Sequence, residues 1–150
     1  MNKTDYKQLN AQLSSVISGV PYTMTNLANA SALLFEKLDG IIWAGFYTIK
    51  SGKLVLGPFQ GKVACTIIEL GKGVCGTSAK ENRTLVVPDV HKFQGHIACD
   101  SASNSEIVIP IHRKGELFGV LDIDSGLFDR FDEEDRKGLE DFVSILEEGI

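Results

Sequence analysis

Three cysteines stand in this chain of 150 residues, each among glycines and small polar residues rather than in an apolar run. They occur as Lys62-Val63-Ala64-Cys65, Gly73-Val74-Cys75-Gly76 and Gly95-His96-Ile97-Ala98-Cys99-Asp100, the last followed by Ser103-Asn104-Ser105-Glu106. A cysteine that only fills space usually sits in a Val/Ile/Leu strand. Thiols in loops near histidines and carboxylates are where sulfur acts as a nucleophile. Glu106, Asp122 and Asp124 supply carboxylates. Asp122 and Asp124 alternate with Leu121 and Ile123, so a strand here turns both acids to one side. Clustered carboxylates raise one another's pKa, which leaves one protonated near neutral pH. These residues together suit a thiol-based enzyme.

The chain must fold to gather such scattered groups. At 150 residues it is long enough for one domain with a substantial core, and one domain over residues 1–150 is expected. Helical spacing covers Asp5 to Ile17 and Met24 to Leu38, with Thr23 or Thr25 as a cap for the second helix. Strands are expected at Ile41–Ile49, Leu54–Phe59, Ala64–Leu70, Thr84–Val87, Ser105–Ile111 and Leu117–Asp124. Ser51-Gly52 and Lys114-Gly115 read as hairpin turns. A short helix from Val74 to Glu81 and a last helix from Asp132 to Glu148 complete the pattern. This is an α+β arrangement: a central antiparallel sheet, helices on one face, and the irregular stretches at Gly57–Val63, Gly71–Gly76 and Asp89–Ser105 on the other.

Composition excludes several classes. The net charge of -5 and the lack of a basic cluster argue against nucleic acid as a partner. No apolar stretch reaches membrane-spanning length, and Met1-Asn2-Lys3-Thr4-Asp5 has no secretory character. A cytoplasmic location is expected, where thiols stay reduced, and an odd cysteine count there argues against a structural disulfide framework. His91, His96 and Cys99 raise a metal question, but their spacing lacks the paired modules of zinc sites, so no metal is expected there. Gly71-Lys72-Gly73 is too short for a phosphate or dinucleotide loop, and no cofactor is expected. Apolar stripes on the terminal helices leave room for a homodimer.

The runs Gly57-Pro58-Phe59-Gln60-Gly61-Lys62-Val63-Ala64-Cys65, Gly71-Lys72-Gly73-Val74-Cys75-Gly76, Asp89 to Asp100 and Ser105-Glu106-Ile107-Val108, with Gly119-Val120-Leu121-Asp122-Ile123-Asp124-Ser125, resemble the free methionine-(R)-sulfoxide reductases. The resemblance runs in order from Trp43-Ala44-Gly45-Phe46-Tyr47 to the last helix. The Gly-Val-Leu-Asp-Ile-Asp-Ser run is shared by GAF domains at large, whereas the three cysteine motifs are specific to the reductases. The resemblance implies a GAF domain with a six-stranded antiparallel sheet. It also implies reduction of free L-methionine (R)-S-oxide to L-methionine with thioredoxin as reductant.

That reaction needs a nucleophilic thiol, an acid beside the sulfoxide oxygen, and a second thiol to convert the sulfenic acid to a disulfide. Cys99 is the chosen nucleophile and Cys65 the resolving thiol. Cys75, near a helix start whose dipole would lower its pKa, is the rival nucleophile or a second resolver. Glu106, Asp122 and Asp124 are the acids, one donating to the sulfoxide oxygen and one holding the substrate ammonium. Asp124 has a plainer alternative, capping the turn into Ser125-Gly126. Trp43 and Tyr47, four apart in a strand, share a face and form a wall for the S-methyl group, with core packing as the alternative. Ile97 and Ala98 complete the substrate-binding set. Two further readings compete: a non-catalytic GAF module for a small ligand, and a redox sensor using the same cysteines.

Overall fold

The computed structural model describes residues 1–96 and 102–150. Ile97, Ala98 and Cys99 lie outside the described residues. Helix α1 (Tyr6–Ile17) starts at Asp5, whose side chain accepts from the Gln8 N–H, and it buries Leu9, Leu13 and Ile17. Helix α2 (Thr23–Lys37) buries Leu27, Ala30 and Leu34. Neither expected threonine caps it: Thr23 is the first helical residue, and Tyr22 holds the cap position with no side-chain bond. A tertiary tie fixes this start instead, since the Asn26 amide donates to the Val20 and Gly149 carbonyls at 2.9 and 2.8 Å.

Strands β1 (Ile41–Lys50), β2 (Lys53–Gly61), β3 (Ile67–Glu69), β4 (Leu85–Val87), β5 (Ser105–Arg113) and β6 (Glu116–Ser125) form one sheet in the order β3-β2-β1-β6-β5-β4. Every neighbouring pair is antiparallel. Two-residue turns join β1 to β2 and β5 to β6. Ser51, Gly52, Lys114 and Gly115 all have positive φ, so the turns match the twist of the paired strands.

Two stretches depart from the sequence expectation. Gly57 to Gly61 is strand rather than loop, and Gly61 pairs with Trp43. The β1–β2 register shifts between Gly45 and Tyr47, so Gly57 and Pro58 sit at a bulge where proline's missing N–H costs no ladder bond. The expected strand from Ala64 to Leu70 shrinks to Ile67–Glu69: Ala64 and Cys65 lie outside the sheet, and Ala64 lines a cavity.

The period of two sorts the sheet into two faces. Phe46, Ile107, Ile109, Leu121 and Ile123 point to one face and pack under α1, α2 and α4 (Glu133–Leu146). Helix α4 begins with a capping box between Asp132 and Asp135 and buries Leu139, Phe142, Val143 and Leu146. Tyr47, Leu54, Val108 and Val120 point to the opposite face. Ile68, Val74, Val87 and Val90 cover them there. Three helices thus share one face, while α3 (Gly73–Glu81) packs on the loop side. Among the described residues, no helix is long and apolar enough to cross a membrane.

Candidate active site

Register places the acids. In the β5–β6 pair Glu106 stands opposite Asp124, and Val108 opposite Asp122. Asp122 is therefore diagonal to Glu106 on the same face. Asp124 also stands opposite Trp43 on β1. It lies inside β6 and lines the cavity. Glu106 and Asp122 are 7% and 5% exposed, which makes their ionised forms costly. Burial first, then the charges of Asp122 and Asp124, pushes the Glu106 carboxyl well above its usual range. Burial also raises Asp122. A carboxyl that keeps its proton near neutral pH is a hydrogen-bond donor, as the alternation of acids in the sequence suggests.

Cys75 enters from the other side. It lies in the first turn of α3, on a backbone folded tightly at Gly71 and Gly76: the Gly71 N–H donates to the Gly76 carbonyl at 2.7 Å. A Cβ on Gly76 would collide with the Glu69 carbonyl, so glycine there lets the helix start press against β3. The Cys75 thiol donates to Glu106 Oε2 at 3.9 Å. Its position near a helix start predicts a lowered pKa, and the structure reverses this. Burial, then the charges of Asp122, Glu106 and Asp124, drives the thiol well above its usual value. The weak field of a helix start loses to complete desolvation among carboxylates. Cys75 is the free cysteine among the described residues, whereas Cys65 is disulfide-bonded.

An aromatic wall closes the cavity. Trp43 stacks on Tyr47 with ring centroids 6.0 Å apart, and on Phe59 at 5.2 Å. Gly45 lies between Trp43 and Tyr47 on their strand face, and a Cβ there would come within 2.8 Å of Trp43 Cη2. The polar edges of the wall hold the segment that carries the second sulfur. Trp43 Nε1 donates to the Lys62 carbonyl at 3.0 Å, and the Tyr47 hydroxyl donates to the Cys65 carbonyl at 2.8 Å. Burial and the nearby acids hold Tyr47 protonated by raising its pKa. Both aromatics are buried, so they pack against the core while lining the cavity.

The cavity measures about 50 Å³ and is bounded by Trp43, Tyr47, Cys75, Glu106, Asp122 and Asp124, with Ala64, Val74 and His96 around them. Lys72 and Ser103 also line it and were not among the expected site residues. Lys72 brings a cation to a cavity rich in acids. Ser103 Oγ is buried and makes no hydrogen bond. Its only sequence signal is a hydroxyl three residues before Glu106. Around the stretch between β4 and β5, Asn104 is the anchor. Its backbone N–H reaches the Ser125 carbonyl and its amide the Gly126 carbonyl, each at 2.8 Å, while its carbonyl accepts from the Val90 N–H at 3.0 Å. His91 Nε2 meets Asn104 Oδ1 at 2.9 Å, which ties the two ends of this stretch together.

Comparison with known proteins agrees with this geometry. Residues 13–150 match the GAF domain family. The free methionine-R-sulfoxide reductase of Escherichia coli (strain K12) is 53% identical over 148 residues, covering 98% of this chain and 90% of that protein. The reduced form of fRMsr of Staphylococcus aureus is 51% identical, with a TM-score of 0.97, covering 99% of this chain and 96% of that one. The free methionine-R-sulfoxide reductase from Neisseria meningitidis, solved in complex with its substrate, is 42% identical, with a TM-score of 0.93, covering 99% of this chain and 92% of that one. Fold, pocket and relatives converge: the chain belongs to the GAF-domain family of free methionine-R-sulfoxide reductases.

Proposed function

We propose that this enzyme reduces free L-methionine (R)-S-oxide by sulfur chemistry at the Trp43–Glu106–Asp122 cavity. The observation that carries the reading is the meeting of buried acids, an aromatic wall and cysteine-bearing segments in one small space. The S-methyl group rests on Trp43 and Tyr47, since sulfur–aromatic contact is favourable. The protonated Glu106 carboxyl donates to the sulfoxide oxygen as its S–O bond breaks. The Cys99 thiolate attacks the sulfoxide sulfur, methionine leaves, and the oxygen remains on Cys99 as a sulfenic acid. The Cys65 thiol then attacks that sulfenic acid and releases water, which leaves a Cys65–Cys99 disulfide. A dithiol of the thioredoxin class exchanges with the disulfide, loses two electrons and restores both thiols. Cys75, with its raised pKa, is a poor initial nucleophile and acts as the reserve resolver. Ionised Asp122 or Asp124 holds the substrate ammonium. Ile97 and Ala98 belong to the proposed substrate-binding set.

The decisive assay supplies each epimer of free methionine sulfoxide with dithiothreitol and no second enzyme. Consumption of the R epimer alone is expected. Cys99→Ser should abolish turnover, and Cys65→Ser should give a single round that thioredoxin cannot renew. No consumption of either epimer would leave the ligand-binding or redox-sensing module as the reading. We also propose a cytoplasmic setting and a homodimer, the latter from exposed Tyr22 just before α2 and Met24 and Phe35 on it; a monomeric mass in solution would exclude it.

A further inference from the structure

We propose that Cys75 Sγ, one Glu106 oxygen and one Asp122 oxygen form a binding site for a borderline-soft divalent cation of the zinc type. One atom from each of these residues lies within 4.8 Å of the other two. Zinc bonds sulfur at about 2.3 Å and oxygen at about 2.0 Å, which gives a tetrahedral edge of roughly 3.5 Å. The Cys75 Sγ to Glu106 Oε2 separation is 3.9 Å, so a few tenths of an ångström of closure makes the edge. The three ligands come from a helix and two paired strands, which hold them in place better than loops do.

A second observation points to a missing partner. Asp122 is 5% exposed, and its Oδ1 makes no hydrogen bond. A buried carboxylate oxygen with nothing to accept from is costly. Ser103 Oγ, in the same cavity, is likewise unpartnered. A divalent cation satisfies the carboxylate oxygen and offsets the negative charge gathered by the three ligands. Binding releases the thiol and carboxyl protons to solvent and changes no oxidation state. Three protein ligands leave a fourth position facing the cavity, as in zinc sites that exchange a ligand. The histidines are not needed for it. The cation occupies the atoms that would hold substrate, so it inhibits the reductase in competition with free methionine sulfoxide; that consequence alone rests on the function proposed above.

The test uses a Cys65→Ser/Cys99→Ser chain, in which Cys75 is the remaining sulfur nucleophile, titrated with cobalt(II) as a spectroscopic stand-in for zinc. A thiolate-to-cobalt charge-transfer band that saturates at one ion per chain and is displaced by zinc is expected. Cys75→Ser in that background should remove the band. Glu106→Gln or Asp122→Asn should weaken binding by more than the 10–100-fold typical of losing an outer-shell partner. Free methionine should raise the apparent dissociation constant. No band, or a band of unchanged affinity in both carboxylate variants, would overturn the proposal. Should the serine pair fail to fold, the same titration of the oxidised wild-type chain reads the same thiol, since Cys75 is free while Cys65 is bridged. The readout is independent of turnover: a band in this chain, together with no sulfoxide reduction by the metal-free wild type, would sink the function and leave the cation site standing.

Discussion

Glu106→Gln should lower activity and raise stability together. Glutamine keeps the shape of the protonated carboxyl and removes the proton that it donates. Losing a general acid typically costs about 10²–10⁴-fold in rate, so turnover of free methionine sulfoxide should fall by that order. Stability moves the other way because the carboxyl is held well above its ordinary value of 4.5 in the fold. Below pH 4.5 both folded and unfolded chains carry the proton, and the buried acid adds no pH-dependent cost. Above 4.5 the unfolded chain ionises while the fold keeps its proton, so stability falls as pH rises until the folded-state pKa is reached. The slope approaches about 1.4 kcal/mol per pH unit for one proton. For a domain of this size that is roughly 3–6 °C in Tm per unit. Glutamine cannot ionise, so the Tm gap between variant and wild type should be near zero at pH 4 and widen towards neutrality. Thermal melts across pH 4 to 8, paired with single-turnover rates, measure both sides. A variant less stable at neutral pH, or a Tm gap that is flat with pH, would show that Glu106 is ionised in the fold and refute the acid role.

Tyr47→Phe removes the hydroxyl that anchors the Cys65 carbonyl. Water can reach this half-buried segment, so the stability loss should be near the usual 0.5–1.5 kcal/mol for a hydrogen bond. Multiple-turnover reduction should suffer more than the first round, and a variant that slows both rounds equally would contradict the anchoring role. Asp132→Ala removes the cap of α4 and should cost about 0.5–2 kcal/mol by chemical denaturation, with unchanged activity per folded molecule. An unchanged denaturation midpoint would show that the capping box is dispensable.

The acids were the most legible part of the site. Strand alternation alone put Asp122 and Asp124 on one face, and the structure aligns Glu106 with Asp124 across the next strand. Trp43 and Tyr47 were legible for the same reason. The protonation of Cys75 was not, because the sequence shows a helix start but not the carboxylates that arrive from β5 and β6 to bury it. Gly57 to Gly61 misled because glycine and proline usually punctuate strands, and here a bulge that sets Gly57 and Pro58 against Phe46 accommodates them. Thr23 misled because the Asn26 tie to Val20 and Gly149, a contact between distant parts of the chain, sets where α2 begins. Ser103 left no signal beyond its proximity to Glu106. Cys99 was read from its place in the polar stretch before Glu106 and from the resemblance, and with Ile97 and Ala98 it lies outside the described residues.

The Lys114-Gly115 turn and the offset between Ile111 and His112 lie at the far end of the hairpin that carries all three acids. Side chains alternate, so the parity of the strand path from that tip decides which side of the sheet Glu106, Asp122 and Asp124 occupy. A one-residue slip of β6 against β5 would turn Asp122 and Asp124 into the oily layer beneath α1 and α4 and bring Leu121 and Ile123 to the cavity, leaving Glu106 there without them. The pairing register of this one hairpin therefore decides whether the carboxyls meet in a single cavity.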